Sequence, residues 1–123
     1  MDIFAIDHNT LDLLLAMGSG SHPREFAALL SADEGIISDV HLIPGSLGGE
    51  ASAQIPFEMI PLSLKIVGSA HSHPNGVLLP SDADIRFFSV QGRCHIIVGY
   101  PYGPHDWRSF LADGTPLDLE VMP

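Results

Sequence analysis

The stretch Ala70-His71-Ser72-His73-Pro74-Asn75-Gly76-Val77-Leu78-Leu79-Pro80-Ser81-Asp82-Ala83-Asp84 decides how the whole chain reads. Ahead of it, Lys65-Ile66-Val67-Gly68-Ser69 is apolar and β-leaning, the pattern of a buried strand. Side chains alternate faces along a strand, so His71 and His73 project from the same face. Pro74 cannot donate to a ladder and stops the strand. After an Asn-Gly turn, Pro80-Ser81 opens a predicted helix from Asp82 to about Val90, closed by Gly92. Asp84 falls in its first turn. Two imidazoles on one strand face and a carboxylate from the next helix can converge on one ion. Two His and one carboxylate form a ligand set used by zinc sites that keep their fourth position open.

A plainer reading exists for parts of this stretch. Ser81-x-x-Asp84 has the pattern of a capping box, with Ser81 as N-cap and an acid at the third helical position. A lone histidine near a strand end is ordinarily structural. Neither reading explains why two histidines share one strand face just upstream. The conjunction favours a metal.

Composition narrows the remaining choices. The 123 residues suit one domain, 1–123, with 46% hydrophobic residues and hence a globular core. No apolar run reaches the length of a membrane span. The start, Met1-Asp2-Ile3-Phe4, lacks the basic region of a signal peptide, so the expected location is cytoplasmic. Fifteen acids against five bases give a formal charge of −10, which repels phosphate backbones and argues against nucleic-acid binding. Cys94 is the single cysteine. That excludes an intramolecular disulfide, a multi-cysteine zinc site and the Pro-Cys-x-x-Cys of a zinc nucleoside deaminase.

With those residues in view, His71-Ser72-His73-Pro74, six residues, Ser81, two residues and Asp84 resembles the JAMM motif of the MPN+ (JAB) metalloprotease family. That family includes deubiquitinating isopeptidases and archaeal enzymes that remove ubiquitin-like modifiers. The resemblance implies a further residue, an upstream Glu acting as general base. The matching position is Glu25, in His22-Pro23-Arg24-Glu25-Phe26-Ala27-Ala28-Leu29-Leu30. It also extends to His95-Ile96-Ile97-Val98-Gly99-Tyr100-Pro101 and Trp107-Arg108-Ser109-Phe110. The implied fold is mixed α/β, a single MPN/JAB-like (cytidine-deaminase-like) domain with a curled mixed sheet and flanking helices. The implied roles are one zinc ion on His71, His73 and Asp84, Glu25 for proton transfer, and the Ser81 hydroxyl as an oxyanion donor. The implied reaction is hydrolysis of the bond after the Gly-Gly tail of a ubiquitin-like or sulfur-carrier protein, commonly an isopeptide. A chain of 123 residues has no room for the long insertions of lysine-63-specific members, so a minimal archaeal or bacterial enzyme is the expectation. Two alternatives stand beside it: a non-catalytic MPN scaffold, and a same-family hydrolase of a small amide, such as one releasing cysteine from a carrier protein.

The rest of the chain supplies the frame. Residues 1–7 read as a short strand or arm, and Asn9 or Thr10 as the cap of a helix through Leu11, Leu13, Leu14, Leu15 and Met17. Gly18-Ser19-Gly20-Ser21 is expected to end that helix. Residues 25–30 would tolerate a helix, and the resemblance alone makes them a strand. Further strands are expected over 35–43, 51–57, 93–100, 105–111 and 115–121, with an irregular crossover at 58–63. The Gly-rich 44–50 segment reads equally as a plain connector or as a lid over an incoming tail. Ser72 should face away from the His pair. His8, His22, His41, His95 and His105 read as surface or core histidines, with His22 near enough to Glu25 in sequence to border the site.

Overall fold

The computed structural model describes residues 2–42, 65–89 and 92–123. Expectations for the strand at 51–57, the crossover at 58–63 and the 44–50 loop lie outside the described residues. Among those residues a curled mixed sheet of seven strands runs in the order β6-β5-β4-β2-β3-β1-β7. Its strands are β1 (Ala5–Asp7), β2 (Ala27–Asp33), β3 (Ile36–His41), β4 (Gly68–His73), β5 (Cys94–Gly99), β6 (Trp107–Phe110) and β7 (Glu120–Met122). The two helices are α1 (His8–Ser21) and α2 (Asp82–Phe88).

β4 lies inside the sheet, antiparallel to β2 and parallel to β5. α2 connects the parallel pair β4 and β5, which cannot be joined by a tight hairpin. β2 and β3 do form a hairpin. Asp33 pairs with Ile36, and Glu34 and Gly35 both take positive φ (52° and 83°), the backbone of a two-residue turn matched to strand twist.

Alternation along the strands divides the interior between the helices. Ala28, Leu30, Ala70, Cys94, Ile96 and Val98 pack with Leu11, Leu14 and Leu15 of α1. The intervening Ile97 packs instead with Phe88 of α2 and Phe110. Successive residues of β5 therefore serve opposite faces, as period-two geometry requires. Cys94 is fully buried on the α1 side, and burial pushes its thiol up to about 12, so it behaves as the small apolar residue expected.

Both ends of α1 and the C-terminal strand depart from expectation. α1 runs through Gly18-Ser19-Gly20 to Ser21 rather than stopping before them. A Cβ at Gly18 would lie 2.7 Å from the Tyr102 ring and 3.2 Å from Val98, so this glycine permits close approach and does not terminate the helix. Nor do Asn9 and Thr10 cap α1: Asp7 is the N-cap, and the buried Thr10 donates to the Ser38 carbonyl at 3.0 Å. At the C-terminus, only Glu120–Met122 pairs as a strand, with β1. Residues upstream instead cross β6, through the Phe110↔Pro116 bridge and a Leu117 N–H to Ser109 carbonyl bond. Pro116 has no N–H, so a regular ladder cannot pass through it. Leu117 and Leu119 still turn inward against the main core.

Candidate metal centre

The sequence places its metal residues at one end of β4. His71 is 7% exposed and Asp84 7%, while His73 sits half-buried where the strand ends. His71 Nε2 lies 3.1 Å from Asp84 Oδ1, and His73 Nε2 lies 3.1 Å from Asp84 Oδ2. The two Nε2 atoms are 3.2 Å apart. Each residue thus offers one ligand atom, and all three atoms fall within 4.8 Å of one another. Among the described residues, this group could hold a metal ion.

Two of the ligand candidates, His73 and Asp84, are held from behind. His73 Nδ1 is 2.7 Å from the Val77 carbonyl, an acceptor only, so Nδ1 carries the proton. In the neutral ring Nε2 then presents its lone pair inward, the tautomer a metal ligand requires. Asp84 is fixed by the capping box at the start of α2. Its N–H donates to Ser81 Oγ at 3.1 Å, and the Ser81 N–H donates to Asp84 Oδ2 at 2.8 Å. The capping reading is therefore correct, and it coexists with convergence on the histidines. Ser81 is exposed, and because its oxygen accepts the Asp84 N–H, its own proton remains free to be donated.

Glu25 enters through the sheet. β2 and β4 pair Ala27 with His71 and Leu29 with Ser69. Continuing that register beyond the strand sets Glu25 opposite His73, on the same face as Ala27. Glu25 is half-buried, and burial raises its carboxyl above the usual range, against the lowering effect of His73 and with a smaller push from Asp84. For Asp84 burial also acts upward, yet the hydrogen bonds and charge of the histidines and the Ser81 N–H hold it far below the carboxylate range. Burial disfavours charge on His73, but Asp84, the Val77 carbonyl and Glu25 together raise its pKa. The site thus sets two carboxyls apart: one pinned as an anion, the other shifted toward neutrality.

The remaining histidines separate cleanly. Ser72 faces the α1 side as expected, and His8 is exposed, 3.0 Å from Asp12. His41 meets Ser31 on the β2–β3 pair at 2.8 Å, and His105 is exposed. His22 stacks on Tyr100 at 5.0 Å and lies 2.8 Å from the Tyr102 hydroxyl. His95, which the sequence reads as a surface or core histidine, is fully buried. Its ring stacks on Phe88, centroids 4.1 Å apart and planes 8° apart, and Phe88 in turn lies 5.9 Å from the His71 ring. His95 Nε2 donates to the Gly92 carbonyl (3.0 Å), so Nδ1 accepts from the Ser69 hydroxyl (2.7 Å). This stack seats α2, and with it Asp84, against the sheet. Strand parity was the available signal: residue 95 is out of phase with Cys94, Ile96 and Val98. No side-chain signal could have revealed the Val77 carbonyl.

The family model for prokaryotic homologs of the JAB domain matches residues 7–112. The chain belongs to this JAB-domain family. A probable metalloprotease from Haloferax volcanii is 40% identical over 131 positions, covering 98% of this chain and 81% of that protein. A solved structure described as JAMM, a metalloprotease-like zinc site in the proteasome and signalosome, superposes with a TM-score of 0.81 at 29% identity, covering 98% of this chain and 99% of that one. A JAB1/MPN domain protein from Archaeoglobus fulgidus gives 0.80 at 30% identity, covering 98% and 100%. The JAB-domain chain therefore joins a JAMM-type metalloprotease fold to a ligand set able to hold a metal. Among its described residues, no helix is long and apolar enough to cross a membrane.

Proposed function

We propose that this JAB-domain protein is a zinc metallopeptidase that hydrolyses the bond after the Gly-Gly tail of a ubiquitin-like or sulfur-carrier protein. The observation that carries the reading is the convergence of His71, His73 and Asp84 with Glu25 set in register across from His73. Two imidazole nitrogens and one carboxylate oxygen suit zinc, and the inward Nε2 of His73 meets the requirement for a neutral ligand. Held there, zinc supplies Lewis acidity that acidifies water and polarises a carbonyl. Glu25 takes the proton of the attacking water and returns it to the departing amine, a task helped by a carboxyl pKa raised toward neutrality. The free proton of Ser81 is donated to the oxyanion, and Ser81→Ala should lower turnover by roughly a hundredfold.

The Gly-Gly substrate is supported by the family and by a groove next to the segment that joins His73 to Asp84. This groove of about 460 Å³ is lined by Leu78 and Leu79 of that segment, by Trp107 and Phe110 of β6 and by Leu117 and Leu119, with none of the metal residues in its wall. A tail without side chains can lie along such a groove and bond through its backbone. Incubation with linear and isopeptide-linked Gly-Gly conjugates, with and without chelator, tests the proposal. Chelator-sensitive release of the modifier supports it. Cleavage confined to small amides or cysteine adducts would replace the substrate but keep the chemistry, and zinc-loaded protein inert to all of them would leave a scaffold.

A further inference from the structure

The ladder between β2 and β4 ends in an irregular rung. Pairing runs from Leu30↔Gly68 to Ala27↔His71, so Phe26 and Ser72 come next and Glu25 and His73 after them. The Ser72 N–H donates to the Phe26 carbonyl at 3.2 Å, as a continued antiparallel ladder requires. The return bond goes elsewhere. The Phe26 N–H donates to Ser72 Oγ at 2.9 Å, where a regular rung would use the Ser72 carbonyl. Both residues are fully buried, so this amide has no recourse to water. A side-chain oxygen thus replaces backbone at the last rung before Glu25, on the sheet face opposite His71 and His73.

From this we infer that Ser72 is a positioning residue for Glu25: its hydroxyl fixes the backbone at Phe26 and thereby the standoff of the Glu25 carboxyl from His73. The inference rests on the reading of Glu25 as the proton-transfer group. With alanine at this position, the Phe26 amide either loses its acceptor or moves to the Ser72 carbonyl, and in both cases Glu25 shifts. The ligands themselves have other contacts: Val77 with His73, Ser81 with Asp84, and the tilted Phe88 ring beside His71.

The test compares Ser72→Ala and Ser72→Thr in zinc-loaded protein, each with Glu25 and with Glu25→Gln. In Ser72→Ala, zinc content should stay at the parent level. Exchange of the Phe26 amide should quicken at least tenfold, and the Glu25 side-chain carboxyl ¹³C resonance should move. Turnover of an isopeptide-linked Gly-Gly conjugate should fall roughly tenfold to a hundredfold with little change in KM. Ser72→Thr, which keeps the hydroxyl, should restore all three. With Glu25→Gln the alanine should cost nothing further, because the group it misplaces is already disabled. Loss of zinc in Ser72→Ala, an unmoved Glu25 resonance, or an equal loss of turnover in both Glu25 backgrounds would overturn the inference. If the parent cleaves no Gly-Gly conjugate, the substrate reading fails by itself, while the amide and carboxyl measurements still decide the role of Ser72.

Discussion

The two faces of β4 are built from one alternating sequence and do different work. Toward α1 it presents Ala70 and Ser72, within a core of Leu11, Leu14, Leu15, Phe26, Ile96 and Val98. Toward α2 it presents Ser69, His71 and His73, each carrying a polar atom with a specific partner. Apart from the bond from the Phe26 N–H to Ser72 Oγ, the first face is held by hydrocarbon packing, which is tolerant of direction and sensitive to volume. The second is held by directed bonds, which tolerate no missing partner. Stability and chemistry should therefore separate by residue parity along this strand up to Ala70 and His71, with Ser72, whose hydroxyl holds the Phe26 amide next to Glu25, as the exception.

The largest effect should come from the ligands. His71→Ala and His73→Ala should each abolish tight zinc binding and hydrolysis, since two remaining donors do not make a closed set of three. Metal analysis of the purified variants checks this, and full zinc occupancy in either one removes that residue from the site.

Next is Glu25→Gln. It should keep zinc and lose roughly a hundredfold to ten-thousandfold in turnover, because its task is proton transfer rather than ligation. Activity of the parent should also fall on the acid side as Glu25 is protonated. Since its carboxyl is raised, that limb should sit above the usual carboxylate range. Loss of metal in Glu25→Gln would make Glu25 a ligand.

The opposite face supplies the contrast. Leu14 is fully buried against the α1 side of the sheet, and Leu14→Ala should cost about 2–5 kcal/mol in unfolding free energy. Zinc affinity and turnover of the folded variant should change little. A variant that lost zinc at full fold would show the two faces to be coupled through the strand.

These contrasts also mark what the sequence disclosed. Strand alternation and a capping pattern are local, so His71, His73, Ser81 and Asp84 could be brought together on paper, and the structure brings them together. Glu25 depends on the register between β2 and β4, far apart in the chain. Propensity could not distinguish its segment from a helix. Gly18 misled for the opposite reason: a glycine signals either a helix end or a close approach, and only the Tyr102 ring decides between them. The strand expected over 115–121 forms only at Glu120–Met122: Leu117 and Leu119 pack inward without a ladder, and Val121 is exposed.

The smallest predicted effect concerns the buried ring behind the metal site. Burial depresses His95 to about 4, against the support of the Gly92 and Phe88 carbonyls and with some opposition from His71. A free histidine in the unfolded chain titrates near ~6.5. The folded pKa is thus the lower one, and the unfolded state binds more protons between about 4 and 6.5. Stability must then rise with pH across that window and decline as pH falls through it. Between pH 7 and pH 5 the loss from this one group should be about 2 kcal/mol. His95→Gln can still donate to the Gly92 carbonyl and accept from Ser69, but it cannot titrate. Urea unfolding of chelator-treated parent and variant at the two pH values isolates the term. The variant should start less stable at pH 7, having lost the stack on Phe88, and fall less steeply. Parallel declines would show that His95 is protonated in the folded protein, and that the stack seating α2 does not depend on a neutral ring.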